Sequence, residues 1–201
     1  MSATARRLVR DRLTVALYSS FVMWGWFLYG FGPAVPLLAD EQGISRAQAG
    51  LHGTALAVGT VLAGTVSAGL ARRSGRRGAL LVGLAITGLG ISALMLGSTL
   101  VLTLGACLVA AVGGNLVLSA ATPALVQHHG LAGPAAVTEA NAIGATVGLL
   151  APLAVGLTVA LGWGWRPAVA LVLLLGAGSA VLVARLGAEP ALDRAAPATP
   201  A

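Results

Sequence analysis

Six runs of largely apolar residues, each about long enough to cross a bilayer, take up nearly all of this chain. A spanning helix needs about 20 mostly apolar residues. Breaking the sequence at its charged and Gly/Pro-marked points leaves runs near 13–38, 48–71, 78–97, 100–126, 135–160 and 167–185. Only 9% of the 201 residues are charged and 57% are hydrophobic, whereas a soluble domain carries roughly a quarter charged residues. A water-soluble core is excluded. The expected fold class is an all-α membrane protein of six transmembrane helices, with the lipid bilayer as its first partner.

The net charge of +6 does not point to nucleic acid, because the basic residues form no extended face with interleaved aromatics. They flank the apolar runs instead. Arg6, Arg7, Arg10, Arg12, Arg72, Arg73, Arg76, Arg77, Arg185 and Arg194 fall on one side of a six-span topology, and only Arg46 and Arg166 on the other. The positive-inside rule then places both termini in the cytoplasm of a multi-pass cell-membrane protein. The expected organisation is a basic cytoplasmic N-terminus at 1–12, a six-helix domain at 13–186 and a disordered Pro/Ala-rich cytoplasmic tail at 187–201. The first apolar run reaches Leu38, too long for a signal peptide, and reads as a retained helix. Cys107 is a lone cysteine in an apolar stretch, and His128 and His129 read as exposed loop residues with no acid or thiol at ligand spacing. No metal or other cofactor is expected.

An internal repeat appears at an offset of 89 residues. Small residues recur every fourth position at Ala55, Gly59, Ala63, Ser67 and Ala71, and again at Gly144, Gly148, Pro152, Gly156 and Ala160. Four-residue spacing keeps each set on one helix face. The same offset carries Gly75-Arg76-Arg77 onto Gly164-Trp165-Arg166, and a small gap aligns the first run, with Pro33 and Pro36, on the fourth, with Pro123. Three helices are thus followed by three, at about 13–97 and 100–186. An odd number per copy makes this a 3+3 inverted repeat.

The segment running from Gly64 through Leu70-Ala71-Arg72-Arg73-Ser74-Gly75-Arg76-Arg77 resembles the signature loop of the major facilitator superfamily, commonly written G-x-L-A-D-R-x-G-R-R. Leu70, Ala71, Arg73, Gly75, Arg76 and Arg77 match at their spacing, after a second apolar run as in that family. Gly30-Phe31-Gly32-Pro33 with Pro36, and Glu139-Ala140-Asn141 followed by Gly148-Leu149-Leu150-Ala151-Pro152, extend the likeness over about 13–186. Ala68 and Arg72 depart from it, standing where the pattern has Gly and Asp. The resemblance implies small-molecule transport by alternating access and no enzymatic activity. The family's acid helps to latch the two halves at the cytoplasmic junction, and an Arg cannot accept those hydrogen bonds, which leaves the latch without its acceptor. The fourth run lacks the embedded Arg of proton-coupled exporters, so a proton-antiport drug pump gains no support.

Members of that family usually carry twelve helices, so six imply a partner: a second copy of the chain or a complementary six-helix half. Ala55, Gly59, Ala63, Gly144, Gly148, Pro152 and Gly156 are the candidate inter-half seams, because small residues allow close helix approach in lipid; packing within the same six helices is the open alternative. Polar and aromatic groups at membrane depth supply substrate-cavity candidates in Tyr18, Trp24, Tyr29, His52, Asn115 and Asn141. Glu139, Arg73, Arg76 and Arg77 are proton or gating candidates, with Glu139 able to pair with an Arg of the signature loop or to sit favourably at a helix N-terminus. A compact amino-acid-type exporter fits the length, and a regulatory or truncated half that moves nothing is a further alternative. An intramembrane protease is the enzyme alternative, and His52 with Ser119 is its one pair to test.

Overall fold

The computed structural model describes residues 8–193, and every regular element among them is helical. The order is α1 (Arg12–Gln42), α2 (Arg46–Leu96), α3 (Leu100–His129), a 3-10 turn (Gly130–Ala132), α4 (Gly133–Gly148), α5 (Leu150–Ala160) and α6 (Arg166–Ala184). Four stretches are long and apolar enough to cross a membrane: Arg12–Gln42, Arg46–Leu96, Leu100–Ala160 and Arg166–Ala184. Two of these, of 51 and 61 residues, far exceed a hydrocarbon core of about 30 Å at about 1.5 Å per residue.

Both long stretches are broken inside. In α2 the backbone leaves the helical region at Gly75, with φ 72 and ψ 170, a conformation that glycine alone adopts without strain. The chain doubles back there. Gly59, before the break, packs on Leu108 and Ala111 of α3, and Gly83, after it, packs on Gly113 and Val117 of the same helix. The apolar runs expected near 48–71 and 78–97 are therefore two arms of α2, at 46–74 and 76–96. The 3-10 turn separates α3 from α4, which starts at Gly133. The brief interruption at Leu149 has a local cause in Pro152, which has no N–H to give the carbonyl of Gly148.

Contacts fix the direction of each element. Arg10 meets Glu139, Phe21 meets Gly144, and Gly30 meets Ala151, so α1 runs parallel to α4 and α5. Thr14 meets His129, Trp24 meets Gly114 and Gln42 meets Thr103, so α1 runs antiparallel to α3. Trp26 donates to the carbonyl of Ala168, and Ser20 bonds Ser179, which makes α6 antiparallel to α1. α1 is thus the central post, and its aromatic column of Trp24, Phe27 and Phe31 fills the middle of the core.

Two terminal expectations change. His128 and His129 belong to the last turn of α3 and are bonded, not loop residues. Residues 187–193, expected to be disordered, hold a defined place under the signature loop, with Leu192 buried. Arg6, Arg7, Arg194 and the tail 194–201 lie outside the described residues.

Lipid tails give helices no hydrophobic reason to associate, so packing must come from close backbone approach and interhelical hydrogen bonds. A Cβ at Gly144 would lie 2.7 Å from the carbonyl oxygen of Phe21, and one at Gly83 would lie 2.9 Å from that of Gly113. Neither backbone can retreat. At Gly105 nothing lies within 4 Å of an added Cβ. Gly144→Ala and Gly83→Ala should each cost about 1–3 kcal/mol through overpacking, lowering the thermal midpoint in detergent. Gly105→Ala should leave it unchanged or raise it through better helix propensity.

Candidate functional site

Asn115 stands halfway along α3 and is half-buried. Its amide donates to the hydroxyl of Thr60 at 3.0 Å and to the carbonyl of Ala111 at 2.9 Å. Thr60, on the first arm of α2, is exposed. The amide carbonyl and the hydroxyl therefore form a small polar island reachable from outside the core, in an otherwise apolar surround. Ser119 and Thr122 continue the same face of α3 one and two turns on, Ser119 exposed and Thr122 half-buried.

The other cavity candidates divide sharply by burial. Tyr29 is 41% exposed and packs over Gly148, and Asn141 is exposed, donating to the carbonyl of Val137. Tyr18 and Trp24, at 6% and 7% exposure, are core residues. Trp24 fills the hollow over Gly114, which is why that position carries no side chain. That takes Trp24 out of a cavity wall, whereas Tyr18 lines a groove of about 500 Å³ with Val15, Ser19, Val22 and Ile143.

His52 is also a core residue, with no exposed surface. Its Nδ1 lies 2.9 Å from the carbonyl of Ala49, and its Nε2 lies 2.9 Å from the Thr103 hydroxyl. A carbonyl only accepts, so Nδ1 carries the proton there, while Nε2 pairs with the Thr103 hydroxyl. The side chain locks the first arm of α2 to α3, with Phe31 edge-on at 6.0 Å. Thr103 and Ser119 are separated along α3 by roughly 24 Å at 1.5 Å per residue. A His52–Ser119 catalytic pair is excluded by that separation.

The small-residue stripes are also placed differently from the expected seams. Gly59, Ala63, Gly144 and Gly148 are buried within this chain, the first two on α3 or its surroundings and the last two against α1. Their faces are occupied. Ala55 and Pro152 are half-buried, and Gly156 alone of the set is exposed. The surfaces left uncovered are the opposite sides of the same helices, where Val61 is 67% and Leu153 is 69% exposed.

Charge is segregated to the two ends of the bundle. At one end Arg10 grips Glu139 through two hydrogen bonds of 2.6 and 2.9 Å, so the acid pairs with the N-terminal segment rather than the signature loop. Asp11 caps α1 by accepting from the backbone N–H of Thr14 and its hydroxyl, and His128 meets its second oxygen at 2.6 Å. At the other end Arg166 of α6 pairs with Glu41, which also accepts from the Trp165 indole. Arg46 bonds Asp40 and the carbonyl of Pro36. No cluster of three metal-ligating side chains occurs among the described residues.

The signature loop is fastened, not free. Arg77 donates to the carbonyls of Leu186 and Gly187, its backbone N–H donates to Leu192, and Arg76 holds Gln127 of α3 and the carbonyl of Ala191. Arg72 and Arg73 are exposed. This docking of the segment after α6 had no signal in the Pro/Ala-rich composition. Leu192 and the many donors of two adjacent arginines were the available clue.

The family model described as Major Facilitator Superfamily matches residues 15–200. No curated protein matches the chain.

Two outcomes follow from these networks. Thr103→Val leaves the buried Nε2 of His52 without its partner and should destabilise the fold by about 1–3 kcal/mol, read as a lower thermal midpoint. Burial pushes the Asp11 carboxyl up, but the Thr14 N–H and hydroxyl and His128 outweigh it and hold it below the ordinary carboxylate value. A depressed carboxylate stabilises fully above its unfolded value of about 4 and loses that contribution as pH falls through the lower folded one. Acid titration of stability should therefore show a fall below about pH 4 that Asp11→Asn makes shallower.

Proposed function

The chain belongs to the major facilitator superfamily, and from that premise we propose that this membrane transporter works as a six-helix half, moving a small molecule by alternating access against a second six-helix unit. Counted through the turn at Gly75 and the turn after α3, the segments 12–42, 46–74, 76–96, 100–129, 133–160 and 166–184 form six crossings arranged as a 3+3 inverted repeat. Three correspondences at the 89-residue offset support the repeat. Gly75 and Gly164 both have a positive φ, of 72 and 73. Arg77 donates to the carbonyl of Leu186, and Arg166 donates to that of Gly97, so donors and acceptors both shift by 89. The first arm of α2 packs on α3 through Gly59, while α4 packs on α1 through Gly148, the crosswise exchange that a two-fold relation produces.

The single observation that carries the transport site is the Asn115–Thr60 pair. A polar island at mid-depth of a membrane helix is costly unless it faces a partner or water, and here it is half-exposed rather than sealed. We place the substrate contact there, with Tyr29 and Asn141 on the same half and the facing wall supplied by a second copy of this chain or a complementary half. Rigid-body motion suits a unit whose ends are stitched by Arg10–Glu139 and Glu41–Arg166. Glu139, Arg76 and Arg77 act in that scheme as fasteners of the cytoplasmic end, while the exposed Arg73 takes no part in that fastening. By the positive-inside rule, the excess of Arg at that end supports a cytoplasmic position for it and for both termini, in a protein of the cell membrane.

Two measurements test the reading. Asn115→Cys should react with a membrane-impermeant maleimide in vesicles far faster than the buried Cys107; equal, negligible labelling of both would remove the water-accessible site. Val61→Cys and Leu153→Cys carried on separate copies should crosslink if two copies face each other. A strictly monomeric sample that still transports, with no crosslink, rules out self-pairing.

A further inference from the structure

We propose that the groove between the two arms of α2 and α3 binds an anionic glycerophospholipid, with Arg72 and Arg73 holding its phosphate and the groove holding an acyl chain. The groove has a volume near 540 Å³. Its walls are apolar stripes from three helical segments: Val66 and Leu70 on the first arm, Val82 and Ile86 on the second, Val112 and Leu116 on α3. Each pair is four residues apart and shares a face of its helix.

The mouth is chemically different from the walls. Arg73 lies one turn beyond Gly69 and Leu70, so the apolar stripe ends on a guanidinium. Arg72 folds back along the groove, its Nη2 4.0 Å from where a Cβ of Gly69 would stand, and the missing side chain keeps that approach open. Neither arginine makes an ion pair with a described residue, in contrast to the hydrogen-bonded Arg76 and Arg77 on the next turn. Two adjacent, like-charged guanidiniums at the end of an apolar slot are complementary to one kind of molecule: an anion with a long apolar chain. Guanidinium forks suit phosphate oxygens in particular. A freely soluble phosphate would leave the apolar walls without a role, and a zwitterionic headgroup would bring its own cation against two others. Basic residues at a membrane boundary are drawn to anionic headgroups in any case; the groove adds a seat for the tail.

The test uses the full chain, delipidated in detergent, with dioleoylphosphatidylglycerol, dioleoylphosphatidylcholine and inorganic phosphate as probes and native mass spectrometry as readout. Phosphatidylglycerol should be retained about tenfold better than phosphatidylcholine, a factor typical of charge-assisted recognition. Arg72→Gln with Arg73→Gln should bring the two lipids to parity, and the paired Lys variant should keep most of the preference, which guards against simple misfolding. Val82→Trp, at a 40% exposed position, should lower retention of both lipids. Arg185→Gln at the same end of the bundle should change nothing. Preference surviving in the paired Gln variant, or falling equally in Arg185→Gln, overturns the site. Displacement of phosphatidylglycerol by inorganic phosphate together with an inert Val82→Trp also overturns it, leaving an anion site without a lipid.

Discussion

In a solvent as apolar as leucine, helices hold together only where their backbones come close enough for dispersion and for polar side chains to reach across. The rest of this structure depends on that constraint. Gly25 meets Gly144, Gly59 meets Leu108 and Ala111, Gly83 meets Gly113, Gly90 meets Ala110, and Gly114 receives Trp24. Each contact removes a Cβ from one surface so that a backbone or a ring can occupy its place. The side-chain bonds then fall at predictable places beside these contacts: Asn115 to Thr60 near the Gly59 contact, His52 to Thr103 two turns before it, Ser20 to Ser179 beside the post of α1. Sealed pairs such as His52–Thr103 give strength, whereas the Asn115–Thr60 pair stays half-open.

The same constraint explains why the small-residue stripes were misleading as docking seams. A stripe of Gly and Ala shows that something approaches closely, without saying what. Gly59 is taken up by the chain's own α3, and Gly144 and Gly148 by α1, while Ala63 is fully buried. What remains toward a partner or toward lipid is the bulkier side bearing Val61 and Leu153.

Much of the architecture was legible in the sequence because membrane helices are read from length and hydropathy, which need no tertiary knowledge. The signature loop and the turn within it at Gly75 also came from local pattern. Three kinds of feature did not. Burial of Tyr18 and Trp24 depends on which way α1 rotates, and a helix that is apolar nearly all round offers no polar face by which to orient it. The bonds of His128 and His129 require the start of α1 to lie beside the end of α3, a relation set by fold alone. The ordered segment through Leu192 takes its place from Arg76 and Arg77, more than a hundred residues earlier, while its own composition reads as tail.

That long reach has a consequence for how the protein is made. Arg77 finds the carbonyl of Leu186 only after a further 109 residues have been added, which at about 5–20 residues per second is many seconds of synthesis. Until then the donors of Arg77 lack the acceptors that they meet in the folded chain. The polypeptide is closed like a purse, its early clasp fastened by a segment that leaves the ribosome after α6.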